Sequence, residues 1–183
     1  MTISTILNPL LKEASQVPLW YRGTSYSNPL DLRDDGLGNE YDRFGPGIYL
    51  TNRYETAAEY GKVYAFEINV SKGFYTEDSP IDSSKLEELI SYAPTEYSGL
   101  IKDNKFIQDL LREKNMVMAL SVVSHRIFWG DRAEYLICAR AAEITGLIVK
   151  PREFSEEKHL ILYKPKIAYE REVEIPYEDE NDY

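Results

Sequence analysis

Three short segments of the chain carry residue types that can do chemistry together. The first is Tyr21-Arg22-Gly23-Thr24. A strand that ends at a glycine leaves backbone N–H and C=O groups open to a ligand, because no side chain blocks the approach. Arg22 beside it offers a planar fork suited to a phosphate or ribose oxygen. The same residues also suit a plain turn with a surface ion pair. The second segment runs from Gly45-Pro46-Gly47 through Tyr49 to Tyr60. Its glycine-proline-glycine turn leads into a short strand, and Ala57 and Ala58 keep the intervening helix slim. Tyr49 and Tyr60 are then either ordinary core aromatics or two walls of a slot for a planar ring. The third is Asp131-Arg132-Ala133-Glu134-Tyr135-Leu136-Ile137, where charged residues open an apolar run. Glu134 is either a strand-end charge in water or a carboxylate aimed into a cleft. In a cleft it can stabilise positive charge on a ribose ring, as carboxylates do in glycoside cleavage.

The elements that must position these residues follow from periodicity and punctuation. Val17 to Gly23 reads as a strand, followed by a long polar loop that reaches Gly47. A loop of that length is a candidate lid. Ile48–Thr51 reads as a strand and Asn52–Tyr60 as a helix, with Asn52 as N-cap and Gly61 as its stop. Val63–Val70 alternates as a half-buried strand. Helices are expected over 82–92, capped by Asp82 or Ser83, and over 106–125, their apolar stripes serving as core. Strands are expected at Glu134–Ala139, Gly146–Val149 and His159–Tyr163. Ile3 to Ala14 reads as a short amphipathic helix interrupted at Pro9. The order implies an α+β fold rather than a regular βαβ series, with residues 1–168 as one domain and 169–183 as an acidic tail.

Composition narrows the function classes. The chain has 183 residues and a formal charge of −10, which disfavours tight binding to a nucleic-acid backbone. Positions 170–183 hold seven acidic residues and one arginine, either a solvated tail or an arm for a basic partner. The single cysteine, Cys138, allows no internal disulfide, and with His125 and His159 it is poor material for a metal site. No stretch is long and apolar enough for a membrane span and no signal peptide is evident, so a cytoplasmic location is expected. Fifteen tyrosines suit half-buried sites that need a flat face and a polar tip.

In this order, the three segments resemble the ADP-ribosyltransferase superfamily. The likeness is nearest to the branch shared by poly-ADP-ribose polymerases and diphtheria toxin, over roughly residues 19–150. GPGIYLT with AAEY is similar to that branch's glycine-x-tyrosine strand and its second tyrosine. AEYLICARAAEITGLIV is similar to its glutamate strand and the strand after it. The resemblance implies a split β-sheet core with flanking helices and NAD as substrate. Gly23 would pair with the nicotinamide carboxamide, with Arg22 and Thr24 beside it. Tyr49 and Tyr60 would sandwich the ring, and Glu134 would hold a ribose hydroxyl as nicotinamide leaves.

The chain also departs from that pattern. Arg22 stands where the branch keeps a histidine, Ala57 where the polymerases often keep a serine, and Arg132 where arginine-targeting relatives keep a second glutamate. The mixture is similar to the small divergent transferases of bacterial toxins and phage proteins. The activity implied is mono-ADP-ribosylation of a macromolecular acceptor, a protein by preference over a nucleic acid, with no direct membrane association. Two alternatives share the site or the fold: an NAD glycohydrolase that uses water, and an inactive module that binds a protein. RNA 2′-phosphate transfer, which needs several basic residues, fits the acidic balance less well.

Overall fold

The computed structural model describes residues 18–25, 27, 29–30, 44–70, 72–97, 99, 104–129, 131–151, 156–164 and 169–173. The expected helix at 3–14, most of the candidate lid, the side chain of Arg132 and the acidic residues from 174 onward lie outside them.

The strands and helices of the described residues run in the following order. β1 is Leu19–Thr24 and β2 is Ile48–Thr51, and the five-residue helix α1, Tyr54–Ala58, follows β2. β3 is Lys62–Ile68 and β4 is Phe74–Thr76. Then come α2 (Ser83–Ser91), a 3-10 turn (Thr95–Tyr97), α3 (Asn104–Leu110), α4 (Met116–Arg126) and α5 (Arg132–Ala141). β5 (Gly146–Val149), β6 (His159–Leu162) and β7 (Tyr169–Val173) complete the order. The strands form one seven-stranded sheet in the order β4-β5-β6-β2-β1-β3-β7. Every pairing is antiparallel except β4–β5. That parallel pair requires a long crossover, which the helices from α2 to α5 supply. The expected α+β class is the class observed.

Alternation sorts the side chains to two faces. On one face Leu147, Val149 and Ile161 pack under α2 to α5, and the half-buried Tyr49 joins them. The same face continues across β1 and β3, where Tyr21 and Ala65 meet Ala57 of α1. The opposite face carries Trp20, Ile48, Leu50, Phe66, Leu160 and Leu162. Between β1 and β3 the ladder is unbroken from Leu19–Glu67 to Thr24–Lys62. Between β1 and β2 it consists of the pair Tyr21–Thr51. Beyond that pair the two strands part, on the side where the register would set Gly23 opposite Tyr49.

Three expectations are corrected. Glu134–Ala139 is not a strand but the body of α5. Asp131 caps it, its Oδ1 accepting from the Glu134 amide at 2.9 Å, and the alanine-rich sequence favours helix once capped. The expected helix over 106–125 is two helices, because Asn115 caps α4 by accepting from the Met118 amide at 2.9 Å. Asn52 does not cap α1. The N-cap position belongs to Arg53, without a side-chain cap, and Asn52 is spent on the segment before β6. The expected domain boundary falls directly before β7, which pairs with β3 through Ala65–Val173 and Glu67–Arg171.

Gly23 is fixed by α1. A Cβ built there would lie 1.6 Å from the Ala57 carbonyl oxygen, an overlap that only movement of the helix end can relieve. Gly23→Ala should therefore lower the unfolding free energy by about 1–3 kcal/mol, read as a shift of the urea midpoint at constant slope. An unshifted midpoint would mean that α1 is not held against β1.

Candidate functional site

Gly23 and Tyr60 lie together, and Tyr49 stands on the same face of the sheet. Gly23 is half-buried on β1. Tyr60 follows α1, and its Cβ is 3.2 Å from where a Gly23 Cβ would stand. Tyr49 rises from β2 on the same face, and its hydroxyl donates to the Gly45 carbonyl at 2.6 Å. That bond fixes the ring against the turn that precedes the strand. Tyr60 is 49% exposed, so its ring is presented to solvent rather than buried as core. The glycine's missing side chain makes room for α1 rather than for a ligand.

Arg22 and Thr24 do not join them. Alternation along β1 turns both to the face of Trp20, and Thr24 is buried. Glu134 is also elsewhere, in the first turn of α5. Its carboxylate accepts from the Cys138 thiol one helical turn on, Sγ to Oε1 3.9 Å. Burial, and then that carboxylate, push the Cys138 thiol up to about 11. Glu134 also contributes, after burial and Asp131, to raising the phenol of Tyr97. These neighbours, Cys138 and Tyr97, belong to the helical layer.

The residue beside Glu134 does reach the second segment. Tyr135 is fully buried and donates its hydroxyl to Tyr163 at 3.2 Å. Tyr163 in turn donates to the Phe44 carbonyl at 3.4 Å. Burial raises the pKa of both phenols, so they stay neutral donors. Gly45, at φ +84°, lies beneath Ser124 and Tyr135, and its turn is seated directly on α4 and α5.

Sequence reasoning passed over a second carboxylate. Glu157 stands just before β6, the strand that pairs with β2 through Thr51–His159 and Tyr49–Ile161. Its Oε1 accepts from Thr51 Oγ1 at 3.1 Å and from His159 Nε2 at 2.9 Å. Thr56 of α1 supplies a further donor. Burial works to raise this carboxyl, but the hydrogen bonds from His159, Thr51 and Thr56 outweigh it and hold the pKa below the usual glutamate value. An unpartnered buried carboxylate costs several kcal/mol, so these donors are the condition of its being there. Around it the backbone is tied reciprocally. The Asn52 amide donates to the Lys158 carbonyl at 3.1 Å, and the Lys158 amide donates to Asn52 Oδ1 at 2.7 Å. The available signal was the spacing Glu157-x-His159 at the head of an alternating strand, which sets both side chains on one face.

Among the described residues no group of His, Cys, Asp and Glu is placed to hold a metal ion, and no helix is long and apolar enough to cross a membrane. Comparison with protein-family models, with curated proteins and with solved structures finds no match to the chain.

Glu157 links the site to pH. Its folded pKa is depressed, so its contribution is complete above the unfolded glutamate value of about 4.3 and is lost as pH falls through the folded value. Glu157→Gln should flatten the acid limb of stability against pH and lower the denaturation midpoint at pH 7. Chemical denaturation at a series of pH values reads both effects. Parallel curves for the two proteins would remove Glu157 from the acid response.

Proposed function

We propose that the chain is an NAD-dependent ADP-ribosyltransferase that releases nicotinamide and transfers ADP-ribose to a macromolecular acceptor, a protein in the first instance. The observation that carries the reading is the shared face at the parting of β1 and β2. Gly23 and the root of Tyr60 meet there, Tyr49 stands on the same face of the sheet, and a partnered carboxylate, Glu157, lies just before β6 at the Thr51 end of β2. In this reading Tyr49, held by Gly45, and Tyr60, at the end of α1, bracket the nicotinamide ring. A carboxylate beside them stabilises the positive charge that builds on the ribose as the glycosidic bond opens. Two residues compete for that role. Glu134 is supported by sequence resemblance, Glu157 by its bond to Thr51 at the end of β2. A glycohydrolase using water in place of the acceptor would employ the same groups.

The two roles separate experimentally. With labelled NAD and a cell lysate, wild type should release nicotinamide and transfer label. Glu157→Gln should reduce release by about 100-fold or more, the usual loss when a group stabilising developing charge is removed. Glu134→Gln should leave release near wild type, and the opposite ranking would return the role to Glu134. Tyr60→Ala should keep its stability within about 0.5 kcal/mol, because the ring is half exposed, yet weaken NAD binding about tenfold in calorimetry. Absence of both NAD binding and nicotinamide release in wild type would sink the proposal.

A further inference from the structure

We infer that the outward face of α5 is a self-association surface, on which two copies of the chain pair as an antiparallel, two-fold dimer centred on Ile137. The inward side of the helix is spent on the core, with Tyr135, Cys138 and Ala139 fully buried. The outward side is not. Ile137 stands 56% exposed at the middle of it, with Ala133 and Ala141, both exposed, four residues to either side. At about 100° per residue the two alanines fall within roughly 40° of the line through Ile137. Trp129, two residues before the cap at Asp131, is 89% exposed. Trp129 and Ile137 are the most exposed large apolar side chains among the described residues, and both belong to this one helix and its approach. Single exposed hydrophobes are ordinary, but a cluster of them rimmed by charge marks an interaction site.

The charges on the rim select the occupant. Glu134 and Arg140 lie three residues before and three after Ile137, so they flank the face on opposite sides. Each is about 4.5 Å along the axis from its centre. A two-fold axis at Ile137 that reverses the helix direction brings Glu134 of each copy level with Arg140 of the other. Ile137 then meets Ile137 and Ala133 meets Ala141, small pairs that let the two helices approach closely. Among the described residues neither charge has an ion-pair partner of its own: Glu134 accepts from the Cys138 thiol, and Arg140 donates Nε to the Tyr163 carbonyl. A parallel pair would instead set Glu134 level with Glu134 and Arg140 with Arg140, which like-charge repulsion disfavours. The face is thus complementary to itself in apolar contact and in charge, the condition of an isologous interface. Antiparallel order also carries each Trp129 toward the C-terminal end of the partner's helix, and tryptophan is among the residues that dominate interface energy.

The test is sedimentation of the full chain from ~10 µM to ~1 mM, because one helix face makes a small interface and a weak dimer. Wild type should pass from monomer to dimer over that range. Ile137→Glu should raise the dissociation constant by about 30-fold or more. Its circular dichroism and urea midpoint should stay unchanged, since the side chain of the monomer is already in water. Glu134→Lys, which sets two cations level across the pair, should raise the constant by about tenfold. Cross-linking reads the orientation separately. Ile137→Cys should form a disulfide-linked dimer on mild oxidation, as should a mixture of Ala133→Cys and Ala141→Cys, whereas Ala133→Cys by itself should not. Wild type, whose Cys138 is buried, is the control. A wild type that stays monomeric at the highest concentration overturns the inference and gives the face to a different protein. A dimer as tight in Ile137→Glu or Glu134→Lys as in wild type overturns it too. Cross-linking of Ala133→Cys to itself but not to Ala141→Cys overturns the antiparallel order. None of these outcomes depends on NAD binding or nicotinamide release, so the transferase reading stands or falls separately.

Discussion

A missing methyl group at Gly23 organises this end of the sheet. β1 needs β3 along its whole length, but α1 must also cross the face of both strands to bury Ala57 against Tyr21 and Ala65. A helix end can come that close only where the strand has no Cβ, and the Ala57 carbonyl occupies the place where one would stand. The position of Tyr60 follows, since the chain leaves α1 immediately before it and turns at Gly61, φ +121°. With α1 seated on β1 and β3, and the longer helices seated on β5, β6 and β2, one face of the sheet is covered by two separate bodies.

Two polar arrangements hold those bodies in place. Under the glycine-proline-glycine turn, Tyr135 and Tyr163 meet edge to face at 5.6 Å and pass a hydrogen bond on to the Phe44 carbonyl. Two buried phenols left unpaired would each lose on the order of 1–3 kcal/mol. Satisfied in sequence, they tie the helical layer to the start of β2. At the other end of β2, Glu157 gathers Thr51, Thr56 and His159. A carboxylate buried among three donors is stable only while all remain, so it couples β2, α1 and β6 more tightly than the short strands alone would. The same coupling makes the site sensitive to any change that moves α1.

The opposing roles of Glu134 and Tyr135 illustrate how adjacent residues diverge in a helix. Tyr135 faces the core and reaches the turn before β2. Glu134, about 100° around the helix, lies beside Cys138 and the Tyr97 turn. In a strand the two would also have faced opposite ways, but Glu134 would then have belonged to the sheet that bears Tyr49. The change of element moves the carboxylate to a different layer.

Much of the fold was legible because local rules and tertiary packing agreed. Alternation located β2, β3, β5 and β6 to within a residue or two, and the cap at Asp82 located the start of α2. Where the sequence misled, the cue was present but read with the wrong period. Asp131 three residues before Glu134 is a helix-capping spacing, and the alanines that follow favour helix over strand. The tyrosine pair and the glycine that precedes it could also be picked out by type and spacing. Which residues share a face could not, because it depends on strand order and register. Those are set by contacts between segments far apart in the chain, such as Thr51 with His159 and Gly23 with Ala57. Sequence by itself determined most of the elements, through periods of two and 3.6 residues. Only the tertiary structure set which face of the sheet Arg22 and Thr24 share and joined Glu157 to Thr51 between β2 and β6, because burial and hydrogen-bond satisfaction act across space rather than along the chain.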